Sequence, residues 1–155
     1  MPGRLQAEIK QNKPFPHPTA EALLSILRTA AVLEHHLGEG LKPYRITTTQ
    51  YNVLRILRGA GQNGMCGREV AERLVSRVPD VSRLLDRMEE LGLIKRDRDP
   101  EDRRHVTARI TEKGLAVLEQ ATPELEALVR RRFSRLDPEG LQRLIAALED
   151  VRSVG

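Results

Sequence analysis

Two pairs of arginines stand where their spacing could do chemistry. In VSRLLDRMEELG, Arg83 and Arg87 are four residues apart, so a helix would carry both on one face. In RDRDPEDRRH, residues 96–105, eight charged side chains and Pro100 fill nine positions and end on Arg103 and Arg104. A guanidinium offers donors in a planar fork that matches phosphate oxygens and the O6/N7 edge of guanine. The chemistry on offer is recognition of a polyanion rather than bond-making. No Ser/His/Asp set or carboxylate pair falls where the sequence would gather it in a cleft.

The elements that must position these arginines follow from periodicity. In SRVPDVSRLLDRMEELG the apolar stripe Val78, Val81, Leu84, Leu85, Met88 and Leu91 repeats at helical spacing and stops at Gly92. With that stripe inward, Ser76, Pro79, Arg83, Asp86, Arg87 and Glu90 lie on the opposite face, flanked by Asp80 and Ser82. The N-terminal half of that face is polar and the C-terminal half acidic, which suits a helix that reads bases with its first residues. A shorter helix, REVAERLV, precedes it, so the two form a helix-turn-helix pattern. LIKRD and HVTARI alternate apolar and polar residues on either side of the charged tip and predict a two-stranded hairpin. A basic hairpin directly after such a helix is the wing of a winged helix, with Arg103 and Arg104 placed to reach a minor groove. Asp97, Asp99 and Asp102 are candidate partners that would hold the wing arginines in one orientation.

The flanks are helical. Met1 to Pro18 contains KPFPHP, whose alternate prolines predict an extended arm. From Thr19, Leu23, Ile26, Leu27, Ala30, Leu33 and Leu37 form one apolar face, expected to stop at Gly38 and Gly40. Thr47 and Gln50 make a capping box with Ile46 and Tyr51 at the staple positions, which starts a second helix near Thr48 and carries it to Arg58. After Thr111 a long helix with 3,4-spaced apolar residues is interrupted by Pro123, and Asp137-Pro138 opens a last amphipathic helix. That long stripe has no partner within a small winged domain, so a second copy is expected to cover it. The fold class is therefore mainly α with a small β-hairpin wing. Residues 46–110 form a winged helix-turn-helix, 19–45 and 111–155 a dimerisation region, and 1–18 an arm.

Composition agrees. Aromatic residues are 3% of the 155, charged residues 31%, and the net charge is +4, which favours aliphatic helix packing and a polyanionic partner. A single cysteine, Cys66, precludes an intrachain disulfide; no apolar run is long enough to cross a membrane, and a cytoplasmic protein is expected. GAGQNG, residues 59–64, satisfies the letters of a dinucleotide fingerprint, but a capped helix precedes it where that motif needs a strand. His35 and His36 diverge by about 100° on a helix, so they are expected as surface residues, and neither metal nor cofactor is expected.

GLIKRDRDPEDRRHVTARITEKG resembles the wing signature of the MarR family of bacterial transcription regulators, with Asp102, Arg104, Thr111 and Gly114 at the matching positions and Ile110 in place of a leucine. Ala108 stands where the family has a larger aliphatic residue. ITTTQYNVLRIL, REVAERL, VSRLLDRMEELGLI and LDPEGLQRLIAAL extend the similarity over most of the chain. The resemblance implies a homodimer on a pseudopalindromic DNA site, acting as a repressor, without enzymatic activity. It implies Asp102 paired with Arg87, Arg83 in the major groove and Arg104 in the minor groove. It also implies a small aromatic or phenolic effector held near His36 and Tyr51, in a crevice between the winged unit and the dimer helices. The competing reading is a helical dimer that binds a protein partner without touching DNA.

Overall fold

The computed structural model describes residues 3–155; Met1 and Pro2, at the start of the expected arm, lie outside the described residues. Seven helices and three short strands follow in chain order: α1 (Arg4–Glu8), α2 (Pro18–Leu41), α3 (Thr48–Ala60), β1 (Met65–Cys66), α4 (Gly67–Arg73), α5 (Val81–Glu90), β2 (Ile94–Arg98), β3 (Val106–Ile110), α6 (Glu112–Arg132) and α7 (Pro138–Ser153). The strands form one antiparallel sheet in the order β1-β3-β2. Ile94 pairs with Ile110 and Arg98 with Val106, while Met65 pairs with Ala108.

The helix starts obey their local chemistry. Thr47 accepts from the Gln50 amide at 3.1 Å and Gln50 Oε1 accepts from Thr47 N at 3.0 Å, so both orphan donors are satisfied and α3 begins at Thr48. Ile46 and Tyr51 are both buried beside that cap. Asp137 caps α7 through Gly140 N at 2.7 Å, with Pro138 in the first turn.

Four features differ from the sequence expectation. The arm is not wholly extended: Arg4–Glu8 is a helical turn that buries Leu5 and lies against α2, and Pro18 opens α2 because its missing N–H falls where a helix has no partner for one. The first long helix does not stop at Gly38 or Gly40 but continues to Leu41, which is wholly buried; Gly40 lies close to the Leu125 and Leu128 side chains of α6. Packing there outweighs the propensity penalty of about 1 kcal/mol per glycine. The chain turns instead at Arg45, which has a left-handed φ of 57°. The predicted two-stranded hairpin gains a third strand, because Gly64 at φ 67° delivers Met65 and Cys66 onto the free edge of β3. Finally, α6 runs unbroken across Pro123, whose ring is exposed, while Thr122 Oγ1 donates to the Leu118 carbonyl at 2.7 Å.

The core lies between α3, α5, the sheet and the first half of α6, with Leu54, Leu57, Val70, Met88, Ile94 and Leu118 wholly or almost wholly enclosed. Ala108, on the central strand, is 1% exposed, and the small side chain suits a position flanked by strands on both sides. In contrast α7 buries no residue; Leu141, Leu144, Ile145 and Leu148 face Ile26, Leu33 and Phe133 across an open apolar groove of about 880 Å³.

The join between β3 and α6 is the tightest backbone approach. Thr111 N donates to the Leu93 carbonyl at 3.1 Å, and Thr111 Oγ1 accepts from Gly114 N at 3.0 Å. A Cβ on Gly114 would overlap that same Leu93 oxygen and approach Ile110 Cγ1 to 2.8 Å. Gly114→Ala is expected to destabilise the fold by about 3 kcal/mol, at the upper end of overpacking effects, in urea unfolding followed by circular dichroism. An unchanged midpoint would mean that α6 slides freely on β2.

Candidate nucleic-acid interface

Helix α5 is shorter than its apolar stripe suggested. Asp80 Oδ1 accepts from Arg83 N at 2.9 Å and caps a helix that begins at Val81. Pro79 disfavours helical geometry at Val78 before it, so the stripe cannot be carried back through the connection. Ser76 and Pro79, expected on this helix, therefore lie in the linker between α4 and α5, and Asp80 is its cap. Ser82, Arg83 and Arg87 are on the helix and exposed, because Leu85 and Met88 turn the opposite side into the core. The linker is pinned from behind by Asn52, whose Oδ1 accepts from Val75 N at 2.9 Å.

The wing tip is ordered by its own carboxylates. Asp99 N donates to His105 O at 3.0 Å, and His105 N to Asp102 O at 3.0 Å. Asp99 Oδ1 accepts from Glu101 N at 2.9 Å and Asp102 Oδ1 from Arg104 N at 3.0 Å, the side-chain turns that aspartate makes with a donor two residues on. The tip backbone is thus organised while Arg103 and Arg104 remain exposed, and among the described residues neither is in an ion pair.

This geometry replaces two expected pairings. Asp102 does not meet Arg87; its carboxylate serves the tip backbone, and Arg87 Nη1 donates to Glu90 Oε2 at 3.2 Å. A partner two residues away needs less chain ordering than one on another element. Asp97 holds neither Arg103 nor Arg104 but pairs with Arg109, its diagonal neighbour on β3.

The contact that ties wing to helix runs in the opposite sense. Arg96 on β2 reaches Asp86 and Glu89 on α5: Glu89 Oε1 accepts from Nε at 3.3 Å and Nη2 at 3.1 Å, Glu89 Oε2 accepts from the Arg96 backbone N at 2.8 Å, and Asp86 accepts from Nη2. Desolvation opposes the Arg96 charge, but its hydrogen bonds to the Asp86 and Glu89 carboxylates outweigh it and leave its pKa above the ordinary arginine value. Sequence reasoning missed this clamp, although alternation from the buried Ile94 puts Arg96 on the strand face that meets α5.

Helix and wing enclose a polar cleft of about 500 Å³, to which α5 contributes Ser82 and Asp86 and the wing Arg98, Arg104 and His105. The wing arginine and the exposed face of α5 thus open on the same side. Cys66, half-buried on β1, also borders the cleft. Among the described residues no group of three or more His, Cys, Asp or Glu side chains is arranged for a metal ion.

Behind the interface a second crevice of about 580 Å³ opens between α2, α3, α6 and the α4–α5 linker. Tyr51 borders it, with its hydroxyl 2.9 Å from Thr122 Oγ1, and Ser76 forms part of the far wall. His36 does not line this crevice. It packs edge-on against His35, with ring centroids 5.5 Å apart, and desolvation together with Arg132, His35 and Arg131 lowers its pKa below the ordinary histidine value.

Gly59 lies in the last turn of α3, and Gly61 to Gly64 lead through a 3₁₀ turn into β1, so a helix and not a strand precedes the turn. No helix of the described residues is long and apolar enough to cross a membrane.

Comparison with known proteins completes the assignment. The MarR family model matches residues 46–106, from the cap of α3 to the start of β3. A MarR transcription factor from Planctomyces limnophilus is 33% identical, with a TM-score of 0.68 over 87% of this chain and 98% of that one. The HTH-type transcriptional repressor IacR of Pseudomonas putida is 31% identical over 72% of this chain and 65% of its own length. S. aureus MepR, in a complex with DNA, is 25% identical, with a TM-score of 0.75 over 83% of this chain and 93% of that one. On this likeness in sequence and overall fold, the chain belongs to the MarR family of helix-turn-helix transcriptional regulators.

Proposed function

We propose that this protein is a homodimeric, sequence-specific DNA-binding repressor whose operator affinity is lowered by a small aromatic or phenolic effector, and that it is a cytoplasmic protein without catalytic activity. The observation that carries the DNA reading is the exposed set Arg83, Arg87, Arg103 and Arg104 on two elements that border one cleft. In this reading the first turns of α5, with Ser82, Arg83 and Arg87, read the major groove, and Asp80 holds that helix end in register. Ser76 and Pro79, lying before the helix, act on its approach rather than on bases. Arg104 enters the flanking minor groove, Arg103 meets the phosphates at its rim, and Asp102 keeps the Arg104 backbone in place.

A dimer is supported by the apolar side of α7 and its groove with α2, which a single chain leaves uncovered: Leu144 is 37% exposed and Ile145 47%. A small-molecule effector is supported by the crevice behind α5. Its walls include Tyr51 and the linker residues Leu74, Val75 and Ser76, so an occupant would push on the segment that leads into the reading helix. Effector preference for a linker position that mismatches the operator would lower DNA affinity by its differential binding. His36 lies outside this crevice and takes no part in it.

Fluorescence anisotropy of the full chain on DNA selected from random duplexes, against scrambled DNA across a salt series, tests the DNA reading. Specific binding with a log-log salt slope of roughly 6 to 10 released counterions is expected. Binding to neither DNA at low salt would overturn it in favour of a protein partner. Arg104→Ala should weaken specific binding by about 2 kcal/mol, roughly 30-fold, with an unchanged melting curve; an unfolded variant would sink that assignment. Ile145→Glu should turn the dimer into a monomer in sedimentation equilibrium, and a variant that stays dimeric would place the interface elsewhere.

A further inference from the structure

We propose that Arg96 is a positioning residue of the DNA interface: it touches no nucleotide, but it fixes the separation between the reading helix and the wing. The proposal rests on the DNA reading above and extends it to a residue in the wall of the cleft whose guanidinium is already engaged by two carboxylates.

Between a major groove and the adjacent minor groove lies one sugar-phosphate strand. A helix in the first groove and a wing tip in the second must therefore straddle that strand, and the cleft between α5 and the wing is the space left for it. Arg98 and Arg104 on one wall and Arg68 at its rim offer cations to a phosphate there. The width of this cleft decides whether both elements engage at once.

Arg96 is the group that sets the width. Its fork spans Asp86 and Glu89, one helical turn apart, and both Glu89 oxygens are occupied, one by the guanidinium and one by the Arg96 backbone amide. The side chain is 23% exposed, against 63% for Arg87 and 78% for Arg130 in their local helix pairs, so solvent screens this contact least. Charge points the same way. Within α5 three carboxylates, Asp86, Glu89 and Glu90, outnumber two arginines, so the helix is net negative along a surface that must approach phosphates. Arg96 neutralises that excess from the wing side of the cleft, with its guanidinium held on Asp86 and Glu89. A lysine would supply the charge but not the planar fork that holds two carboxylates and hence one distance.

The test has a DNA-free arm and a DNA arm, both on the full chain. For the first, spin labels at Glu72→Cys and Glu101→Cys in a Cys66→Ser background report the distance from α4 to the wing tip by pulsed electron resonance. Arg96→Met should broaden or shift that distribution; an unchanged distribution overturns the clamp whatever the protein does on DNA. For the second, Arg96→Met should lower affinity for selected DNA roughly 10- to 100-fold, as expected when positioning alone is lost. Scrambled-DNA affinity should stay within about threefold and the salt slope should be unchanged. Arg96→Lys should recover only part of the loss. Specific and scrambled binding that fall together, with the slope reduced by about one, would instead make Arg96 a phosphate contact. Full recovery in Arg96→Lys would reduce its role to a point charge. Glu89→Gln, which removes the acceptor's charge and keeps its shape, should reproduce the direction of the Arg96→Met effect if that variant fails to fold; wild-type behaviour in Glu89→Gln overturns the proposal. A wild-type chain that binds neither DNA would remove the functional reading on which the role depends, while the distance measurement still reports on the clamp itself.

Discussion

The structure hangs on how the C-terminus of α5 is closed. A helix end leaves carbonyls without partners, and here the next elements supply them in sequence. Gly92, at φ 75°, donates to Glu89 O at 2.9 Å and Leu93 N donates to Met88 O at 3.0 Å, the paired bonds of a Schellman turn. Lys113 Nζ then donates to Leu91 O at 2.7 Å and Thr111 Oγ1 to Gly92 O at 2.6 Å. One helix end thus binds the start of β2 and, through hydrogen bonds spanning nineteen and twenty-two residues of chain, the start of α6. Every later relation, wing to helix and winged unit to long helix, is measured from that point.

The Thr-x-x-Gly of the family signature has a physical meaning at this junction. Thr111 spends one hydroxyl on two partners, donating to α5 and accepting from the first turn of α6. Gly114 is required because the Leu93 carbonyl occupies the space of a side chain. Rigidity here contrasts with the far end of the molecule, where no described residue of α7 is fully buried and its apolar face lines an open groove. The chain is therefore a closed winged unit joined to an open helical end, with α6 belonging to both: Leu118, Ala121 and Leu125 are buried in the core, while Val129 is 40% exposed beside the groove.

Much of this was legible locally. The capping box at Thr47, the caps at Thr111 and Asp137, the stop at Gly92 and the alternation of the wing strands are each decided by residues within a few positions of one another. The start of α5 was misread because the apolar stripe continues through Val78 while Pro79 and the Asp80 cap begin the helix at Val81. Periodicity reports which face would be buried, not whether the backbone is helical there. Family resemblance implies a pairing of Asp102 with Arg87, but the tip geometry of this chain gives that carboxylate a nearer donor.

What the sequence determined by itself is the order and type of the elements and the family to which they belong, because caps, breakers and hydrophobic period act over a few residues. What only the tertiary structure decided is the partnership of charges and edges. Arg96 is one of many arginines until β2 is laid against α5 and brings it to Asp86 and Glu89. Met65 and Cys66 carry no strand signal of their own until the free edge of β3 offers them hydrogen bonds, and Gly40 reads as a helix stop until α6 packs beside it. In each case the deciding free energy comes from groups distant in the chain, and the residues alone carry no record of which of those groups will meet.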